Sequence, residues 1–118
     1  IDILSQLFHK NIVRYFGTTQ DKDNLNIFLE YVSGGTIANL IRRYGKFNEN
    51  LVRVYTRHIL EGLEYLHYHN IIHRDIKGAN VLVTSDGICK LADFGASKKI
   101  VSLVGKTEFK SLRGTINW

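Results

Sequence analysis

Two short apolar runs, Val81 to Val83 and Ile88 to Leu91, are separated only by Thr84-Ser85-Asp86-Gly87. An Asp-Gly pair between apolar runs of this length offers the positive φ a tight turn needs, and it predicts a β-hairpin. A hairpin constrains more than its own strands, because it returns the chain to the edge from which it left. Asn80, just before the first run, and Asp93, just after the second, are therefore predicted to lie little more than one strand spacing apart, roughly 4.8 Å. An amide and a carboxylate should share that open end.

A second carboxylate arrives at the same place. Asp75 lies in the stretch HRDIKGAN, His73 to Asn80, which leads directly into the hairpin. A carboxylate and an amide oxygen suit a hard cation such as Mg²⁺, which keeps several waters and takes its other ligands from phosphate oxygens. Two neighbouring carboxylates repel each other unless a cation sits nearby, so Lys77 and a metal are the predicted compensators. Read alone, the octapeptide is equally compatible with a polar turn in which Asp75 and Asn80 only tie their own backbone.

The rest of the chain alternates strands and helices. Asn11 to Gly17 and Asn26 to Val32 read as strands joined by a polar turn at Gln20 to Asn24, an antiparallel pair. Ser33-Gly34-Gly35 breaks that pattern, and Thr36 is placed to cap a short helix through Arg43. From Asn50, the positions Leu51, Tyr55, Ile59, Leu63 and Leu66 recur at about 3.6 residues, predicting a long core helix that ends near His69-Asn70. Ile1, Ile3, Leu4, Leu7 and Phe8 are apolar from the first residue with no capping residue before them, which predicts a chain that begins inside a helix. Together with a stop at Trp118, two residues after Ile116, this reads as an interior piece of a larger domain.

Composition narrows the function classes. The 118 residues are 44% hydrophobic with a formal charge of +5, which suits a folded segment of one domain at most. Five cations and one acid fall between Ser97 and Arg113, so the excess charge belongs to one segment. Such a run reads as a solvated face, and no nucleic-acid partner is expected. The single cysteine, Cys89, has no partner for an intramolecular disulfide and reads as a small buried hydrophobe. That usage fits a reducing compartment, and no apolar run approaches the roughly 18 residues of a membrane span. His67, His69 and His73 are not spaced to share a helix face, and no cysteine or carboxylate completes a zinc set with them.

Leu91-Ala92-Asp93-Phe94-Gly95 contains a DFG triplet eighteen residues after Asp75, and Gly114-Thr115 follows the basic segment. HRDxKxxN, DFG and GT in this order resemble the protein kinases. The likeness implies an α+β fold, protein-kinase-like and partial: residues 1–32 would be the end of the small lobe and the hinge, and 33–118 the large lobe through the activation loop. It implies ATP and Mg²⁺ as cofactors. Asp75 would accept the proton of the substrate hydroxyl, Asn80 and Asp93 would be metal ligands, and Lys77 would neutralise the transferring phosphate. Thr115 would hydrogen-bond Asp75 and Lys77. The position of Lys77, two residues after Asp75, resembles the serine/threonine kinases.

In the stretch NIFLEYVSGG, Asn26 to Gly35, the resemblance makes Leu29 the gatekeeper, Glu30 and Val32 the backbone contacts to adenine, and Leu82 the pocket floor; Leu29 and Leu82 would also be core residues. Leu4, Tyr15, His73 and Phe94 match a stacked apolar spine linking the lobes. Ser111 sits at the usual activation-loop phosphorylation position, with Thr107 as second candidate. A phosphate there would pair with Arg74, Lys98 and Lys99.

HRDIKGANVLV, KLADFGASKK and SLRGTINW are most similar to the MAP kinase kinase kinases, the STE-type group. A MAP kinase kinase would then be the protein substrate, activation would come from an upstream kinase or from autophosphorylation in trans, and the location would be cytoplasmic. Two departures stand out: Ile116-Asn117 where the family often has Pro-Tyr, and Lys10 where it often has Pro in an HPN turn. A Gly-rich phosphate loop, a strand lysine and its paired helix glutamate would lie upstream, and the fragment alone is expected to be poorly folded and inactive. The alternative is a pseudokinase, a regulatory module that keeps HRD and DFG without phosphotransfer.

Overall fold

The computed structural model describes residues 4–94 and the backbone of Lys98 and Lys99. After a single 3-10 turn at Leu4–Gln6, the elements in chain order are β1 (Tyr15–Gln20), β2 (Leu25–Leu29), α1 (Ile37–Tyr44) and α2 (Glu49–Tyr68). They are followed by β3 (Ile71–Ile72), a 3-10 turn at Gly78–Asn80, β4 (Val81–Val83), β5 (Cys89–Leu91) and β6 (Lys98–Lys99). The strands form three antiparallel pairs: β1 with β2, β3 with β6 and β4 with β5. Where the sequence predicts a helix at the beginning of the chain, the described part holds only the 3-10 turn, closed by the Leu7 N–H on the Leu4 carbonyl.

The first hairpin forms with a shifted strand. Its register pairs Thr18 with Ile27 and Gln20 with Leu25, so β1 lies about three residues later than the apolar run Asn11 to Gly17 predicts. The reason is a competing partner. Asn11 and Val13 belong to another ladder: the Leu91 N–H donates to the Asn11 carbonyl at 2.8 Å and the Val13 N–H to the Leu91 carbonyl at 2.9 Å. Thr18 and Thr19, β-branched and suited to an extended backbone, take their place in the hairpin. The turn is closed by Asp21, whose carboxylate accepts the N–H groups of Asp23 and Asn24.

Both helices start on side-chain caps. Thr36 Oγ1 accepts the Asn39 N–H at 3.0 Å to begin α1, and Asn48 Oδ1 accepts the Leu51 N–H at 2.8 Å to begin α2. α1 ends at Gly45, whose φ of 85° allows its N–H to reach back to the Ile41 carbonyl. α2 runs 20 residues and lays its predicted stripe on the core: Tyr55 and Leu66 are buried, and Leu51, Ile59 and Leu63 pack against them. The large apolar residues that α2 leaves exposed, Val52, Val54, Leu60 and Tyr68, lie outside that stripe. The close fit of α2 on its neighbours rests on Gly62, where a Cβ would sit 2.9 Å from the Asn11 carbonyl oxygen and 3.0 Å from Leu91.

The β4–β5 hairpin forms as the Asp-Gly signal predicts, with Val81 opposite Leu91 and Val83 opposite Cys89. Gly87 takes φ 83°, and the Thr84 N–H reaches the Ile88 carbonyl at 2.9 Å to close the turn. Val81, Val83, Cys89 and Leu91 form the centre of the core with Leu7, Ile12, Tyr55, Leu66 and Ile71. Cys89 is 1% exposed, as its apolar surroundings imply, and burial pushes its thiol up to about 11. By contrast Leu29, expected to be a core residue, is 56% exposed. Every residue of β2 is exposed, so among the described residues no element covers that strand.

Candidate active site

The open end of the β4–β5 hairpin is where the predicted cluster assembles. Beyond the Val81–Leu91 pair, the Ala92 N–H donates to the Asn80 carbonyl at 2.9 Å, which extends the ladder by one step. Asn80 and Asp93 are thus held at the same end of the hairpin, Asp93 being the next residue after that bond.

His73 ties the loop to this end. It is 1% exposed, its Nδ1 accepts the Asp75 N–H at 3.1 Å, and its Nε2 donates to the Ala92 carbonyl at 2.7 Å. One tautomer, with the hydrogen on Nε2, satisfies both bonds. The imidazole therefore joins the backbone of Asp75 to the residue before Asp93. Its ring also lies 5.2 Å from that of Phe94. Of the predicted spine residues, Leu4 and Phe94 pack against the core and Tyr15 is buried at 7%.

Two non-glycine residues in this arrangement, Arg74 at φ 71° and Asp93 at φ 56°, occupy the left-handed region. Such backbone is uncommon for residues with a Cβ and persists where surrounding bonds over-determine it. Here the His73 bonds on one side and the Asn80–Ala92 bond on the other supply that constraint.

The side chains follow from this frame. Asn80, 5% exposed, donates from Nδ2 to the Asp75 carbonyl at 2.9 Å and to its carboxylate Oδ2 at 3.1 Å. Both amide hydrogens are spent on Asp75, so Oδ1 is the atom Asn80 can offer to a cation. The Lys77 ammonium lies 3.8 Å from the same Asp75 oxygen, with the two side chains 20% and 12% exposed. At that depth the ammonium compensates part of the carboxylate charge. The oxygen donors of Asn80 and Asp93 at one hairpin end fit a hard divalent cation.

Of the predicted adenine set, Leu29, Glu30 and Val32 follow one another at the end of β2 and just past it, while Leu82 lies on β4. The Glu30 N–H is spent on the Arg14 carbonyl at 2.8 Å, so of its backbone only the carbonyl can serve a base. Val32 and Leu82 are half-buried. The linker after Val32 is stitched to β4 by the Val83 N–H on the Gly35 carbonyl at 2.8 Å and by a bridge between Thr36 and Leu82. Thr115, Ser111 and Thr107 lie outside the described residues. The histidines do not converge, since His69 stacks on Tyr65 at 4.3 Å and bonds its carbonyl while His73 serves the loop.

Three features escaped the sequence. Asn11 is fully buried, and its Nδ2 donates to the Cys89 carbonyl at 2.9 Å. His58 reaches from α2 to accept the Cys89 N–H at 3.1 Å. The carboxylate of Glu30 pairs with Lys90 of β5 at 3.0 Å. Only the last left a trace, a cation between two apolar residues of a strand.

Compared with known proteins, the chain matches the protein kinase domain family over residues 1–118. All 118 residues align at 55% identity with mitogen-activated protein kinase kinase kinase ANP1 of Arabidopsis thaliana and at 51% with mitogen-activated protein kinase kinase kinase A of Dictyostelium discoideum. Serine/threonine-protein kinase STE11 of Saccharomyces cerevisiae is 50% identical over 119 aligned positions that include the whole chain. The chain spans 18%, 12% and 17% of these three relatives, so it corresponds to a small part of each.

Proposed function

The chain belongs to the protein kinase family, and on that premise we propose that it carries the acceptor-positioning and metal-binding half of a serine/threonine kinase active site. Residues 1–32 then contribute the end of the small lobe and the hinge, and 33–118 the large lobe through the activation loop. The observation that supports this reading best is the double donation of Asn80 to Asp75. It turns the amide oxygen away from the aspartate and, with the Ala92–Asn80 bond, assembles two carboxylates and an amide at one hairpin end.

In the proposed reaction a serine or threonine hydroxyl attacks the γ-phosphorus of ATP. The new O–P bond forms as the bond to the β-phosphate oxygen breaks, ADP departs, and Asp75 takes the hydroxyl proton. Asn80 holds the Asp75 carboxylate by its Oδ2, which sets the direction from which the acceptor approaches. Lys77, already beside that oxygen, supplies positive charge where the transferring phosphoryl group gains negative charge. Asn80 Oδ1 and Asp93 would hold Mg²⁺, which when bound offsets the charge of the ATP phosphates. Thr115 would complete the hydrogen bonding around Asp75 and Lys77. The nucleobase would meet Leu29, the Glu30 carbonyl, Val32 and Leu82.

The substrate would be a MAP kinase kinase, by analogy with relatives named mitogen-activated protein kinase kinase kinases, and the place of action would be the cytoplasm. Among the described residues no helix is long and apolar enough to cross a membrane. Phosphorylation of Ser111, or of Thr107, by an upstream kinase or in trans would add about −1.5 to −2 charges for Arg74 and the lysines at 98 and 99 to meet. The test is phosphate transfer by the full-length protein from labelled ATP to a MAP kinase kinase with its own active site disabled. Transfer to serine or threonine that disappears with Asp75→Asn supports the reading, and transfer that survives the substitution overturns it.

A further inference from the structure

Lys90 occupies the middle of β5, between Cys89 and Leu91, which are 1% and 0% exposed. Alternation along the strand turns it to the opposite face from those two, and its cross-strand partner on β4 is Leu82. Paired residues share one face of a hairpin, so the aliphatic stem of Lys90 runs beside Leu82 while its ammonium reaches outward. It reaches Glu30, at 3.0 Å from Oε2 and 3.3 Å from Oε1, with the lysine side chain only 14% exposed.

Glu30 is held from two further directions. Its Oε1 accepts the Arg14 N–H at 3.0 Å, and its own N–H donates to the Arg14 carbonyl. One residue just past β2 is therefore fastened both to the segment leading into β1 and to β5, the strand that runs on to Asp93. A cation at this depth that pairs with a carboxylate in a defined geometry restricts the approach of the two segments far more than an exposed pair does.

We infer that Lys90 is a positioning residue for the nucleotide: through its ion pair with Glu30 it sets the distance between the segment that meets the edge of the adenine ring and the Leu82 floor beneath it. The inference rests on the reading of Leu29 to Val32 and Leu82 as the adenine site. Lys90 touches no reacting atom, so its loss acts on nucleotide affinity and leaves the transfer step comparatively unharmed.

The experiment uses the full-length kinase with Lys90→Met, Lys90→Arg and the swap Lys90→Glu/Glu30→Lys. Nucleotide affinity is read by a fluorescent ATP analogue, independently of turnover, and by the KM for ATP alongside kcat. Lys90→Met should weaken nucleotide binding about fivefold or more with a smaller change in kcat, and Lys90→Arg and the swap should recover most of the loss. Unchanged nucleotide affinity in Lys90→Met overturns the inference, as does a loss that Lys90→Arg and the swap repeat in full. If Lys90→Met folds poorly, the swap alone decides: affinity within about twofold of wild type supports the pair, and affinity as low as in Glu30→Lys alone refutes it. A wild-type protein that binds the analogue but transfers no phosphate would refute the catalytic reading and leave this test intact.

Discussion

Replacing Asn80 by Asp changes one atom and reverses what that atom does. The nitrogen that donates to Asp75 Oδ2 at 3.1 Å becomes an oxygen, so a donated bond becomes a contact between two carboxylates. At an effective dielectric of about 20, two unit charges 3.1 Å apart repel by about 5 kcal/mol. Rotation of both side chains and partial proton uptake relieve some of this, and the bond to the Asp75 carbonyl is lost as well. A net cost of about 2–3 kcal/mol is expected, which in a kinase-sized domain lowers the melting temperature by roughly 5–10 °C. The measurement is thermal unfolding of the full-length protein in chelator-treated buffer, compared with Asn80→Leu, which removes the donor without adding charge. Asn80→Asp should melt below Asn80→Leu, and added Mg²⁺ should raise it more than it raises the wild type, because the new carboxylate faces the cation site. A metal-free Asn80→Asp protein melting within about 1 °C of wild type would mean that the amide does not lie against Asp75, and the site geometry would fall with it.

Further consequences concern packing and pH. A Cβ on Gly34 would overlap the Val83 carbonyl oxygen and lie 2.9 Å from its carbon, so Gly34→Ala should cost about 3 kcal/mol by prising the linker from β4; an alanine variant melting with wild type would contradict this. Cys89 should resist alkylation at pH 8 in the native protein and react once unfolded, as followed by mass spectrometry of its peptide. Its folded thiol keeps the proton to about 11 while the unfolded thiol ionises from about 8.5, so its contribution to stability falls as pH rises through that window, and Cys89→Ala should remove that part of the alkaline loss. Burial, then the field of Lys10, holds His9 below the usual imidazole range. The unfolded state then takes up a proton first, so stability should fall as pH drops below about 6.5, and His9→Gln should flatten that slope.

Local chemistry explains which parts of this structure the chain announces. The Asp86-Gly87 turn, the Thr36 cap and the 3.6-residue stripe of α2 depend on residues close in sequence, and each appears within a residue or two of where periodicity puts it. Asn80 and Asp93 come together because a hairpin makes two sequence-distant residues neighbours for reasons internal to the hairpin. What stayed hidden depends on partner choice across the fold. Asn11 to Val13 have the composition of a strand, yet nothing local says that they pair with Leu91 in place of Leu29 and its neighbours. His58 reads as a polar residue of a helix and Asn11 as the start of a strand, and nothing local says that both satisfy the Cys89 backbone. Leu29 is apolar and falls in a strand, which implies burial, but burial needs a second layer that the described residues do not place over β2.

The central claim assigns different work to two carboxylates at one hairpin end, and separating binding from transfer tests it most directly. In the full-length protein, nucleotide binding with and without Mg²⁺ and single-turnover phosphate transfer are measured for Asp75→Asn and Asp93→Asn. Asp75→Asn should bind Mg²⁺ and ATP about as wild type does and lose at least about 100-fold in the transfer step, while Asp93→Asn should lose the Mg²⁺-dependent part of nucleotide binding. Wild-type transfer by Asp75→Asn, or undiminished Mg²⁺-dependent binding by Asp93→Asn, would contradict the assignment.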